Sequence, residues 1–181
     1  MSGRVRCPVV LITVAVAAAL VGCAGGRPAA ALEPPATTCF GAFSPAEIAP
    51  FMGTGKDVQV RGPAVLRLSR QRERENCTID VDGKNRFFAR AYRQPVGGVH
   101  SWPSLLADKH PEPLAGADDG KLWDDGAAVV LSCEGPTDSF VLELWVGGVV
   151  DGIQKEDRRP TLAALMKRYA EFAKQQTRCG A

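Results

Sequence analysis

Catalysis at neutral pH is usually carried by histidine, an activated serine or cysteine, or paired acids, and in this 181-residue chain such groups are few and poorly arranged. The two histidines, His100 in GVHSWPS and His110 in DKHPEP, sit among Pro and Gly and read as exposed or lid residues rather than an acid–base pair. No GxSxG, SxxK or HExxH pattern accompanies them, so a hydrolytic reading has no nucleophile or metal-bound water to start from. Asp118, Asp119, Asp124 and Asp125 gather around Gly120 and Gly126. They lack the EF-hand spacing, and Asp followed by Gly is first of all a turn signal, so the group reads as solvated loop. No residue set calls for a cofactor or a metal.

Recognition chemistry is better represented. RLSRQRERE places Arg67, Arg70, Arg72 and Arg74 against only Glu73 and Glu75. On an extended segment alternate arginines would line one face, where planar guanidinium forks suit phosphate or carboxylate groups of envelope polymers. The plainer reading of the same residues is a polar loop that keeps an edge strand from pairing with another chain. Val96 to Lys121 is the longest irregular stretch and holds Trp102, Pro103, Pro111 and Pro113. A ligand or partner site is expected between this loop and the sheet face near Trp123 and Trp145. Nucleic acid is not an expected partner, because a formal charge of +2 gives no field to attract it.

The six cysteines divide by position. Arg4 and Arg6, with no acid beside them, precede the uncharged run Val9–Val21, and the run ends in LVGC at Cys23. This is a signal-peptide pattern. As a helix the run spans about 20 Å against roughly 30 Å of bilayer hydrocarbon, too short for a comfortable membrane span. LVGC resembles the bacterial lipobox, where a thiol takes a diacylglyceryl group and small residues expose the bond cleaved before it. The rival is an ordinary secretory cut that leaves Cys23 lost or spare. Two acyl chains suffice for stable anchoring. The expectation is therefore a leader over residues 1–22, a lipidated Cys23 and an extracytoplasmic location at the cell membrane. Loss of the leader removes Arg4 and Arg6 and no acid, leaving basic and acidic side chains equal in number. Cys39, Cys77, Cys133 and Cys179 remain, an even set in an oxidising compartment that reads as two disulfides with three possible pairings.

Residues 24–38, AGGRPAAALEPPATT, cannot bury enough surface to order and read as a tether reaching roughly 20 to 25 Å. Residues 39–181 read as one domain. Ser44 to Gly53 reads as a short helix, with Ser44 as N-cap, Pro45 at the first helical position, Glu47 completing a capping box and Gly53 as terminator, and with Pro50 weakening it after barely one turn. Val58 to Val60 and Ala64 to Leu68 are apolar stretches broken by Gly62 and Pro63, which predicts a bulged strand or a tight hairpin. Cys77 to Val81 and Arg86 to Tyr92 flank DGKN, a hairpin signal. Ala127 to Cys133 and Phe140 to Val146 read as strands, the latter with Phe140, Leu142, Leu144 and Val146 on one face. Pro160 opens a predicted helix over Thr161 to Gln176, whose stripe of Leu162, Leu165, Met166, Tyr169, Phe172 and Ala173 should lie on the sheet. The sum is an α+β layer fold: an antiparallel sheet of about five or six strands, a short first helix and a longer last one.

CFGAFSPAEIAPFMG followed by ENCTIDVDG resembles exported actinobacterial lipoproteins that carry a small disulfide-bonded domain of unknown function, over Cys39 to about Tyr92. In that group a cysteine precedes a Ser/Thr-Pro capped helix and a second begins a strand. Ile79 stands where an aromatic often follows. Cys133 and Cys179 are similar to a variant within the group. The resemblance implies the pairing Cys39 with Cys77 and Cys133 with Cys179, a lipid-anchored surface location, and no assigned activity. The expected role is a module that binds an envelope protein, a lipid or a cell-wall polymer. A carrier of a hydrophobic ligand is the alternative and an enzyme a third.

Overall fold

Two runs of antiparallel strands meet edge to edge in the computed structural model, which describes residues 36, 38–69, 72–95, 106–117, 119–132, 138–147 and 155–177. The first run is β1 (Val58–Arg61), β2 (Arg74–Val81) and β3 (Lys84–Pro95). The second is β4 (Glu112–Pro113), β5 (Gly120–Trp123), β6 (Gly126–Ser132) and β7 (Asp138–Val146). β3 pairs with β7, giving one seven-stranded antiparallel sheet in the order β1-β2-β3-β7-β6-β5-β4. Helices α1 (Pro45–Met52) and α2 (Lys155–Thr177) complete an α+β fold. Residues 1–35, which hold the expected leader and Cys23, lie outside the described residues, as do Cys133 and Cys179. Among the described residues no helix is long and apolar enough to cross a membrane.

Alternation along the strands assigns the faces. Cys77, Ile79, Phe87, Ala89, Ala91, Ala127, Val129, Leu142 and Leu144 point to one side. There they meet Ile48, Phe51 and Met52 of α1 and Leu162, Leu165, Met166, Tyr169 and Ala173 of α2 in one continuous buried cluster. This is the face that the α2 stripe was expected to cover. Ser44 reaches Glu47 as the capping-box spacing requires: its backbone N–H and hydroxyl both donate to Glu47 Oε2, at 2.7 and 2.6 Å. Burial pushes the Glu47 carboxyl up, but these two bonds and the nearby Arg168 guanidinium together bring it below its ordinary value. Asp82 and Gly83, at φ 50° and 73°, form the two-residue hairpin between β2 and β3.

Four boundaries differ from the sequence expectation. The sheet has seven strands rather than five or six, because the short strand β4 lies inside the stretch read as loop and β5 begins at its end. Ala64 to Leu68 is not a strand. Gly62, at φ 146°, brings the backbone against β2 so closely that a Cβ there would lie 2.7 Å from the Asn76 carbonyl oxygen. Pro63 then lacks the N–H that pairing needs, and the chain leaves the sheet. α2 begins at Lys155 with Pro160 inside it rather than at its start, whereas α1 runs through Pro50 to Met52 and stops at Gly53 as expected. Proline near a helix N-terminus removes few bonds, and the Thr161 hydroxyl donates back to the Asp157 carbonyl at 2.8 Å. Thr38, read as the end of the tether, is buried and bridges to Phe43.

One disulfide is present among the described residues, Cys39–Cys77. It ties a 3-10 turn (Cys39–Gly41) to the middle of β2. Cys39 and Phe40 take left-handed backbone conformations, φ 40° and 67°, that non-glycine residues seldom adopt. The bridge and the buried Phe40 ring, stacked 6.1 Å from Tyr169, hold them there.

Candidate functional site

On the side of the sheet away from the helices, polar and aromatic side chains form a lattice fixed by strand register. One row runs Arg61, Thr78, Phe88, Trp145, Gly126, Trp123, each directly opposite the next. A second runs Asn76, Arg90, Glu143, Ala128, Lys121. A third runs Arg74, Tyr92, Val141, Val130. Directly opposed residues lie close enough for their side chains to interact.

Glu143 is at the centre. Its side chain is only 6% exposed, and its Oε2 lies 3.2 Å from an Arg90 guanidinium nitrogen. Its Oε1 accepts the Tyr92 hydroxyl at 3.1 Å. Burial and the adjacent carboxylate push the Tyr92 hydroxyl well above its usual pKa, so it stays protonated and donates. This trio holds a charged pair in place on the sheet face.

Cations and rings alternate over the same surface. The Arg74 guanidinium lies 5.7 Å from the Tyr92 ring centre, Arg90 lies 5.0 Å from Phe88, and the Lys109 ammonium lies 5.6 Å from Trp145. Such contacts contribute roughly 0.5–1 kcal/mol each at exposed sites and fix the direction of the cation. Toward β1, Asp80 is 7% exposed beneath its Arg61 partner, whose side chain is 67% exposed. Both Asp80 and Glu143 therefore sit at sheet level, with guanidinium groups above them. What meets solvent is positive charge and aromatic edge.

Toward β5 the surface is covered. Leu106 is buried against Trp123, Ala128 and Val141, and Lys109 pairs with Asp125 at 2.8 Å. The Trp123 and Trp145 rings meet edge to face, 5.0 Å between centres. Gly126 makes that possible: a Cβ there would fall 2.6 Å from the Trp123 ring.

The expected site residues are thus partly united. Trp123 and Trp145 are brought together as expected, but Trp123 is 1% exposed and packs beneath the surface instead of forming it. The arginine row is broken. Reciprocal backbone bonds between Ser69 and Arg72, 3.0 and 3.2 Å, turn the chain. Arg67 lies before the turn, Arg72 pairs with Glu75, and only Arg74 joins the lattice. Arg70, Trp102, His100 and Asp118 lie outside the described residues. Asp124 and Asp125 are engaged by Arg159 and Lys109. Among the described residues no three His, Cys, Asp or Glu side chains are placed to hold a metal ion.

Sequence reasoning missed Arg61, Arg90, Tyr92, Lys109 and Glu143. The signal was there for Glu143, the acid in the otherwise apolar FVLELWV strand. Its partner Arg90 interrupts RFFARAY in the same way.

A separate cleft of about 280 Å³ opens on the helix side, between α2 and β6. Leu114, Val129, Leu131 and Met166 line it together with the charged side chains of Asp119, Lys167, Glu171 and Lys174. No family model, curated protein or solved structure matches the chain.

Proposed function

We propose that this protein is a binding module, tethered to the outer face of the cell membrane by a lipid on Cys23, whose helix-free sheet face grips a carboxylate- or phosphate-bearing polymer of the envelope. The observation that carries the reading is the layering on that face, with Asp80 and Glu143 buried and Arg61, Arg74 and Arg90 above them beside aromatic rings. Guanidinium forks pair with carboxylate and phosphate oxygens, while ring faces stack on sugar planes. Charge presented on one face attracts a polymer locally even where the totals balance. The filled core between sheet and helices favours a surface-binding role over a carrier that encloses a long lipid.

The membrane reading is supported by LVGC at the end of the uncharged run and by a cystine that suits an oxidising compartment. Intact mass of the membrane-extracted protein should lack residues 1–22 and carry a diacylglyceryl increment, and Cys23→Ala should release it. A wild-type protein retaining its leader, or free of lipid, contradicts the anchoring. The binding reading is tested with polygalacturonate as the polyanion. Saturable binding that weakens steeply with salt and with Arg61→Ala/Arg74→Ala supports it, and the absence of such binding overturns it.

A further inference from the structure

We infer that the β1 edge of the sheet is an interface for a second copy of this chain, joined antiparallel about a two-fold axis at Gln59. The two edges of the sheet differ. β4 has two residues, one of them Pro113, which has no N–H to give. β1 has four residues in regular register with no proline, and Asp57, Gln59 and Arg61 along it are exposed. Hydrogen-bond phase decides which of its backbone groups face outward. The Asp82 N–H donates to the Asp57 carbonyl, so by alternation Gln59 and Arg61 bond inward to Asp80 and Thr78. The N–H and C=O groups of Val58 and Val60 therefore point away from β2, and no described residue pairs with them.

A second β1 laid with its Val60 opposite Val58 satisfies all of these groups at once. The same register sets Gln59 against Gln59, and Asp57 against Arg61 of the second copy, in the non-bonded pairs where side chains approach closest. Charge complementarity selects it. The next register in phase, centred on Val60, opposes Asp57 to Pro63 and asks Gly62 to pair where the chain leaves the sheet. Both charged groups have capacity left. Asp57 Oδ2 accepts the Gln59 side-chain amide at 2.7 Å, which leaves Oδ1, and Arg61 meets Asp80 through one nitrogen while its side chain stays 67% exposed. On the helix side the half-buried Val58 and Val60, packed on the core, continue across the junction. Pairing consumes both β1 edges and leaves only the blunted β4 edges, so assembly stops at a dimer. This inference does not rest on the polyanion reading, since backbone phase and Asp57 carry it.

Sedimentation equilibrium of the purified full chain tests it, with the average mass rising from monomer toward dimer between about 10 μM and about 1 mM. Gln59→Cys probes the register. Opposed Cα atoms about 4.5 Å apart lie within disulfide reach, so in a glutathione redox buffer this variant should be captured as a covalent dimer linked through the introduced thiol. Glu171→Cys, exposed on α2, should stay monomeric. Val58→Pro removes an outward N–H at the first residue of an edge strand, where proline is tolerated, and should weaken dimerisation roughly tenfold while circular dichroism reports an intact fold. Asp57→Lys should weaken it about threefold. A strictly monomeric wild type, Gln59→Cys captured no better than Glu171→Cys, or dimerisation indifferent to Val58→Pro would each overturn the assignment.

Discussion

Glu143 and Arg90 sit directly opposite each other on β7 and β3, and the carboxylate, 6% exposed, lies 3.2 Å from a guanidinium nitrogen. Removal of one partner should cost more than removal of both. Arg90→Met leaves an uncompensated charge beneath the surface. Because Arg90 itself is one-third exposed, solvent screens part of the pair, and a loss of about 2 kcal/mol is expected. Arg90→Met combined with Glu143→Leu should recover at least half of that loss. Urea denaturation of the three proteins measures the difference.

The Cys39–Cys77 bridge closes a separation of 38 residues, which on chain entropy contributes about 4 kcal/mol. Cys39→Ala/Cys77→Ala should lose most of this and free the left-handed turn at Cys39 and Phe40. Both effects are read by urea denaturation and by near-ultraviolet circular dichroism. Cys133 follows the end of β6 by one residue and Cys179 follows the end of α2 by two, and both ends border the cleft through Ser132 and Lys174. A non-reducing peptide map should therefore return Cys39 with Cys77 and Cys133 with Cys179.

Asp82 Oδ1 accepts the backbone N–H groups of Asp57 and Lys56, at 2.9 and 3.0 Å, and these bonds hold its carboxyl below the ordinary aspartate value. A pKa lowered on folding gives stability that is fully present above the unfolded value, about 3.9, and lost as the pH falls through the folded one. Asp82→Asn keeps the acceptor and tolerates the φ of 50° but cannot titrate. Its melting temperature should fall less steeply than that of wild type as the pH is lowered through and below the carboxylate range. Glu47 contributes a parallel loss in both proteins.

Tyr169 is wholly buried, and its hydroxyl has no hydrogen-bond partner among the described residues. Desolvation, with Glu143 and Glu75 nearby, pushes its pKa far up. Tyr169→Phe keeps the stacking on Phe40 and removes the unpaired hydroxyl, so thermal unfolding should show a gain of about 1 kcal/mol.

What the sequence made legible follows from how local each signal is. Asp82-Gly83, the Ser44–Glu47 box and the stripe from Leu162 to Ala173 depend on neighbours a few residues away, and each stands where it was expected. β5 has four residues among glycines and aspartates, and its existence depends on pairing with β6. The hydrophobicity of Ala64 to Leu68 suggested a strand, yet Gly62 against Asn76, a contact across 14 residues, removes that stretch from the sheet. The lattice was hidden for the same reason. Arg61, Arg90 and Glu143 lie far apart along the chain, and only the register of β1, β2, β3 and β7 makes them neighbours. Arg67 and Arg72 were conspicuous in sequence but fall on the far side of a turn or beside Glu75.

Backbone amide chemical shifts during titration with polygalacturonate test the central claim most directly, because they report which face is touched. The account predicts that shifts concentrate at Arg61, Arg74, Phe88, Arg90 and Trp145, that α2 stays silent, and that Arg61→Ala/Arg74→Ala weakens binding at least tenfold. Shifts confined to the helix side, or an affinity indifferent to both arginines, would contradict it.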